Sequence, residues 1–404
     1  MIQKTPYYSW KISNLPKGCQ LCVKGEKTVL FITGLCSLKC FYCPISDQKK
    51  DKDVIYFNEW HSDDINNLFE EIKLCDSNGV GITGGDPLMK LERTVNYIKQ
   101  LKKKFGKEFH IHLYTPVNLV AEDSLKKLYD AGLDEIRFHL DSYNNKFWKR
   151  LSYAEKFKWK IGVEIPVIPE CKQEKHIIKQ NYLNLIDFLA TQKIDFLNFN
   201  ELEISDTNAC KLVEKGFRTK DRYSYGVKGS EELAKELLRY IDKKRKETKH
   251  KTHGKYNNEK IEDDKYNSEK SIGTEGNTGA DYLFDVHYCT CRLKDAVQLR
   301  NRIKRRAKNA AKAYDEVDED GMLIRGAVYY EKESDGKNIK KILKGYKTES
   351  KQAYEMNYDR GKKRVLTSKK IVIKLKNELR KYGKPAIVTE YPTHDCLNIE
   401  TEFL

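Results

Sequence analysis

Between residues 28 and 200 six β-rich runs alternate with helical patterns, and no other property of the chain narrows its fold so far. The runs are 28–33, 80–83, 109–114, 135–140, 161–167 and 196–199. Between them Ile65, Leu68, Phe69 and Ile72, then Leu91, Val95, Ile98 and Leu101, recur at the three-and-four spacing of amphipathic helices. Further helices are predicted over 122–131, closed by Gly132, around 145–156 and around 177–191. Such alternation makes consecutive strands parallel, with right-handed crossovers, in an open doubly wound sheet or a barrel. In both α/β architectures functional residues collect at the C-terminal ends of the strands. The loops after the first two runs are therefore the first places to look.

The first of these loops reads Cys36-Ser37-Leu38-Lys39-Cys40-Phe41-Tyr42-Cys43. Three thiolates on one tight loop can bind three irons of a 4Fe-4S cubane and leave the fourth without a protein ligand. Zinc is the alternative occupant, although structural zinc takes four protein ligands and more often uses C-x2-C spacing. The second loop is Gly84-Gly85-Asp86-Pro87. Glycines at a strand end let backbone approach a ligand closely; in isolation the tetrapeptide would be an ordinary turn.

Together these residues match a family. The cysteine loop resembles the C-x3-C-x-aromatic-C signature of the radical S-adenosylmethionine superfamily, with Tyr42 in the aromatic place, and GGDP resembles that superfamily's GGEP motif. The resemblance covers roughly residues 28–200 and implies a partial barrel of six strand–helix units. It implies that Cys36, Cys40 and Cys43 carry a 4Fe-4S cluster whose open iron chelates S-adenosylmethionine. Tyr42 would lie near the adenine, and Gly84, Gly85, Asp86 and Pro87 would bind the amino group, with Asp86 one methylene shorter than the usual Glu. It further implies a low-potential electron donor and an enzyme that cleaves S-adenosylmethionine to a 5′-deoxyadenosyl radical, which takes hydrogen from a substrate C–H bond. Polar residues at later strand ends could meet cofactor or substrate: His112 and Glu164 first, then Tyr114, Thr115, Arg137, His139, Asn198, Asn200 and Glu201. The bland reading is that each merely satisfies polar groups inside the barrel.

A second metal site, zinc or an auxiliary iron–sulfur cluster, is drawn from Cys19 and Cys22 together with Cys289 and Cys291, beside His287. The chain has 11 cysteines, no basic-then-apolar start and no apolar stretch of spanning length, so a reducing compartment is expected: a cytoplasmic protein without a membrane partner. Residues 242–279 are nearly all Lys, Glu, Asp, Asn, Thr, Ser and Gly and read as a disordered insertion. The segments then run as a 1–27 extension, a 28–229 barrel, a helix and insertion over 230–285, a Cys-x-Cys and basic helix over 286–324, and a small α/β appendage over 325–404.

The net charge is +16, and the helix after Cys291 carries Arg292, Lys294, Arg300, Arg302, Lys304, Arg305, Arg306 and Lys308. It could grip phosphates, or it could be a solvated face. The chain resembles a group related to pyruvate formate-lyase activating enzymes, which abstract hydrogen from a glycine of a partner protein. Those activases have little beyond the partial barrel. Radical modification of RNA, suggested by the basic surface, is set first; modification of a protein or peptide stands beside it. A non-enzymatic zinc or iron–sulfur nucleic-acid binder is a third reading, with no reason to place GGDP at the next strand end.

Overall fold

Each of the six predicted runs is a strand of one sheet in the structure, a computed structural model whose described residues are 1–170, 177–258, 280–346 and 355–404. The chain divides into two units. One comprises Met1–Val23, Val29–Ile55 and Gly79–Ala296; the other comprises Lys24–Thr28, Tyr56–Asn78 and Val297–Leu404.

The sheet of the first unit contains β1 (Ile2–Lys4), β2 (Trp10–Ile12), β3 (Lys27–Phe31), β4 (Gly79–Thr83) and β5 (His110–Pro116). It continues with β6 (Glu135–His139), β7 (Lys160–Val167), β8 (Phe196–Glu201) and β9 (Asp285–Cys289). Their order is β1-β2-β9-β8-β7-β6-β5-β4-β3, a path that does not return on itself, and every pair from β4 to β9 is parallel. This is a partial barrel. It differs from the expectation in β9, a further parallel strand beside β8, and in β1–β2, an antiparallel pair that joins it through Ile12↔Val286 and Trp10↔Tyr288. Residues 1–23 and 285–291 are thus parts of the barrel unit and not separate segments.

Period-two alternation divides this sheet into two unlike faces. Ile111, Leu113, Ile136, Phe138, Val163, Ile165, Leu197, Phe199, Val286 and Tyr288 form the apolar set, all buried. The alternate set is His110, His112, Tyr114, Glu135, Arg137, His139, Glu164, Asn198, Asn200 and His287, aligned by register in neighbouring strands. Parallel strands covered on both faces usually read as continuous apolar runs. A polar interior face costs stability unless its groups pair, so it marks where the chain has a chemical use for them.

Helices α1 (Lys17–Lys24), α2 (Leu91–Phe105), α3 (Glu122–Asp130), α4 (Ile177–Leu189) and α5 (Ser230–Asn258) belong to this unit, and Trp148–Lys156 is a 3-10 helix. Gly132 closes α3 at φ +100, a conformation that side chains resist. The expected disorder from 242 onward is corrected as far as Asn258: α5 carries on through that stretch. Lys and Glu are good helix formers, and Asp242–Lys246 (3.0 Å) and Lys243–Glu247 (4.0 Å) pair one turn apart. Arg245, buried, donates to the Tyr282 (3.0 Å) and Phe284 (2.8 Å) carbonyls, so part of the charge is structural. Residues 259–279 and Cys171 lie outside the described residues.

The second unit holds an antiparallel sheet in the order Asn357–Asp359, Arg364–Thr367, Leu323–Tyr329, Lys384–Glu390, Asn398–Phe403. With helices Glu333–Gly345 and Lys369–Leu379 it has the β-α-β-β-α-β connectivity of a ferredoxin-like layer. The same unit contains Ile65–Leu74 and Arg300–Ala310, joined by the buried Arg306–Glu71 pair at 2.8 Å.

Candidate active site

The GGDP turn is laced to the approach of the cysteine loop by backbone alone. Ile32 N–H donates to the Thr83 carbonyl (2.9 Å), Gly85 N–H to Thr33 (2.8 Å) and Asp86 N–H to Leu35 (2.8 Å). A Cβ at Gly85 would stand 2.2 Å from the Leu35 oxygen, so this closeness requires glycine. Asp86 and Pro87 are buried. Asp86 Oδ1 accepts from Leu88 N–H (3.0 Å) and Thr115 Oγ1 (2.8 Å), capping the 3-10 helix Pro87–Lys90 and tying it to β5. Through Oδ1 the side chain thus shapes the turn, while Oδ2 is buried with no hydrogen-bond partner among the described residues. Gly85→Ala is expected to push the cysteine loop off the turn and weaken S-adenosylmethionine binding by about tenfold or more, ~1.4 kcal/mol, read by calorimetry on the reconstituted protein.

Cys36, Cys40, Cys43, Tyr42, Gly84 and Gly85 line one cavity of about 470 Å³. Burial pushes the Cys36 thiol up to about 11 and also raises Cys40, so without a cation these thiols stay protonated. Leu38 N–H already points at Cys36 Sγ at 3.4 Å. Three soft thiol donors on one loop suit iron–sulfur ligation, and bound iron would supply the charge that burial withholds. Among the described residues no three His, Cys, Asp or Glu side chains are placed to hold a single metal ion. A cubane asks something different, since it spreads three thiolate bonds over three irons. The cavity and its donor set fit a 4Fe-4S cluster with a nucleotide-sized ligand beside it.

Tyr42 is held from both ends. Its hydroxyl lies 3.0 Å from His139 Nε2, and its carbonyl accepts from Asn208 Nδ2 at 3.0 Å. Burial lowers the pKa of His139, which favours a neutral ring. Tyr42, Tyr114 and His139 line both the cysteine cavity and a second one of about 340 Å³ that reaches Glu164, Asn200, Glu203 and Lys294. The two spaces therefore share a wall. Tyr114 and His139 were legible as strand-end polar residues; Asn208 and the Lys294–Glu203 pair (2.9 Å) were not, because nothing in local sequence links them to the loop.

Beneath the cavities lies a buried ion network. Arg137 bonds Glu135 Oε1 through Nε (2.6 Å), and Glu164 Oε2 (2.8 Å) and Tyr114 Oη (3.0 Å) through Nη1. Glu164 also accepts from Asn198 and Asn200, both at 2.9 Å. Glu164 borders the second cavity, and its oxygens are engaged by Arg137 and the two amides. His112 is fully buried and lines neither cavity. A Cβ on Gly18 of α1 would fall 2.7 Å from its Nδ1, which shows that His112 packs against α1 and does not face the cofactor space, contrary to expectation.

The four outlying cysteines do not converge on one ion. Cys19 and Cys22 lie near enough to Cys289 to act on it electrostatically, but Cys19 Sγ accepts from Asn198 Nδ2 at 3.3 Å. Cys291 faces Glu203 (4.0 Å), and its N–H donates to Glu201 (2.8 Å). His287 Nε2 is 3.2 Å from Ser9 Oγ. Among the described residues the tetrahedral zinc site drawn from these thiols is therefore not formed.

Comparison with known proteins accords with this geometry. The sequence profile of the radical SAM superfamily matches residues 30–163. A Methanocaldococcus jannaschii protein named a glycyl-radical enzyme activating enzyme is 38% identical, across 98% of this chain and 94% of its own. A Methanococcus aeolicus protein named a GTP 3′,8-cyclase is 28% identical over 33% of this chain and 43% of its own. The solved structure of methylornithine synthase matches 53% of this chain and 67% of its own at 14% identity and a TM-score of 0.35. No helix among the described residues is long and apolar enough to cross a membrane. The chain belongs to the radical S-adenosylmethionine superfamily and is an enzyme of it, related to the activating enzymes.

Proposed function

We propose that this enzyme takes a hydrogen atom from a carbon of a protein substrate, in the manner that the name of its full-length relative describes. The 38% identity extending over 98% of the chain carries the reading, because it includes the segments that lie beyond the barrel. Cys36, Cys40 and Cys43 would hold the 4Fe-4S cluster, and Tyr42 with the Gly84–Gly85 backbone would hold S-adenosylmethionine. When bound, that pair supplies the electron and the 5′-deoxyadenosyl radical; the protein's part is to bind, orient and exclude water. Asn208 and His139 fix Tyr42, and the Arg137–Glu164–Asn200 chain sets the amide that faces the second cavity, where the substrate carbon would enter.

RNA is the second reading, favoured by the net charge of +16. The basic helix weakens it, because five of its eight cations are paired with carboxylates of the same chain. Arg302 pairs with Glu59 (2.5 Å), Arg305 with Asp76 (2.7 Å), Arg306 with Glu71 (2.8 Å), Lys294 with Glu203 (2.9 Å), and Arg300 with Asp320. The test is anaerobic reconstitution with a low-potential donor, followed by mass spectrometry of 5′-deoxyadenosine formed from a deuterated protein fraction. Deuterium in that product together with a protein-centred radical by electron paramagnetic resonance is expected. Deuterium arriving from labelled RNA instead would reverse the order of the two readings. RNA affinity should show a shallow salt slope, since few unpaired cations remain on the helix to displace counterions.

A further inference from the structure

The first unit carries another cleft, of about 500 Å³, that neither the cysteine cavity nor its neighbour includes. Its walls are aromatic. Tyr8, Trp10, Tyr223 and Tyr225 line it, and Tyr223 is 88% exposed. Cations lie against these rings: Arg292 is 4.0 Å from the Tyr8 centroid, Lys235 4.4 Å from Trp10, and Arg222 5.2 Å from Tyr223. Tyr8 holds φ +59, an uncommon conformation for a side-chain-bearing residue, and Thr290 Oγ1 donates to its carbonyl at 2.7 Å. Strain that the surroundings enforce is concentrated at working sites.

Two observations identify the occupant. The charges lining the cleft balance, with Lys4, Lys220 and Arg292 against Asp221, Glu231 and Asp295. A polyanion would gain contacts with the cations but meet three carboxylates set among them, whereas a peptide, whose backbone is neutral, meets no such opposition. Tyr, Trp and Arg are also the residues that dominate binding energy where proteins meet. The second observation is continuity with the active site: Glu201 borders the substrate cavity and pairs at 2.6 Å with Lys220 of the cleft. Cys291 of the cleft bonds the same Glu201 through its N–H.

We propose that this cleft docks an extended segment of the protein substrate, anchored by an apolar or aromatic side chain against Tyr8 and Tyr223, while the reacting carbon reaches the cavity beyond Glu201. The proposal rests on the protein-substrate reading. Dodecapeptides selected by phage display on the anaerobically reconstituted full chain would be measured by fluorescence anisotropy against Tyr223→Ala and Arg292→Ala, both exposed positions that threaten no core. Selected peptides should carry an apolar or aromatic anchor and bind each variant at least about tenfold more weakly than the parent protein. Equal binding to parent and variants overturns the proposal. So does a twelve-nucleotide oligouridylate that binds the parent with steep salt dependence and fails on Tyr223→Ala, which would assign the cleft to single-stranded RNA. Both variants should form 5′-deoxyadenosine at the parental rate when dithionite is present and peptide absent. Loss of that product in the variants would mean that the cleft serves the cofactor and not a docking segment. Peptide binding that depends on Tyr223, combined with no radical on any peptide or protein, would leave the cleft standing and sink the protein-substrate reading.

Discussion

Cys36→Ala is expected to lose the broad visible absorbance of the reconstituted cluster and to lower 5′-deoxyadenosine formation by about a thousandfold or more, over ~4 kcal/mol of activation energy. Each of the three thiols on this loop would bind a different iron, so deletion of one leaves an iron with neither a protein nor a substrate ligand. Among the described residues no further thiol lines the cysteine cavity to replace it: Cys19 accepts from Asn198, and Cys291 faces the Glu201–Glu203 wall. The loss would not be one of folding. Cys36 is only partly buried, and removal of such a thiol costs about 1 kcal/mol or less. Cys396→Ala, in the second unit, is the matched control and should retain full activity. Iron content and product formation both persisting in Cys36→Ala would exclude the assignment.

The barrel was readable because its strands obey a local code: short β-rich runs, helical periodicity between them, and glycines where turns must be tight. What sequence could not show is pairing across long separations. Strand β9 is five residues long, and its neighbour β8 is far away in the chain, so a run reading DVHYC gives no sign of being a barrel strand. The N-terminal strands are shorter still, and they are placed by β9. The same limit explains the errors at the site. His112 shares a face with Tyr114, but α1 covers it, and nothing around residues 17–24 announces that a helix will do so. The ion pairs of the basic helix were hidden for another reason. Counting Arg and Lys gives charge but not partners, and Glu59, Glu71 and Asp76, which pair with three of its arginines, are spread through a different part of the chain.

Arg137→Met should destabilise the protein by about 3–5 kcal/mol at neutral pH, the cost of leaving buried charge uncompensated. Arg137 and Glu135 are each under 3% exposed, and Glu164 is 15% exposed. With the guanidinium gone, two carboxylates remain in the same interior. The pH dependence distinguishes this from simple loss of packing. In the parent protein burial raises the Glu135 pKa, but Arg137 and then His110 more than offset it and hold the carboxyl at about 2, against 4.5. Glu135 therefore contributes stability above pH 4.5 that is lost as pH falls toward 2. In Arg137→Met only His110 is left of these two to oppose burial, and the folded-state pKa rises. That carboxylate then holds less stability at pH 7, and the difference from the parent shrinks as it protonates on acidification. The gap between parent and variant in urea melts should thus be widest at pH 7 and close on acidification. Adding Glu164→Gln to Arg137→Met should recover about 1–2 kcal/mol, because it removes one of the two stranded charges. A gap that is the same at pH 4.5 and pH 7, or no recovery in the double variant, would mean that Arg137 acts by filling space, and the polar face of the barrel would need another explanation.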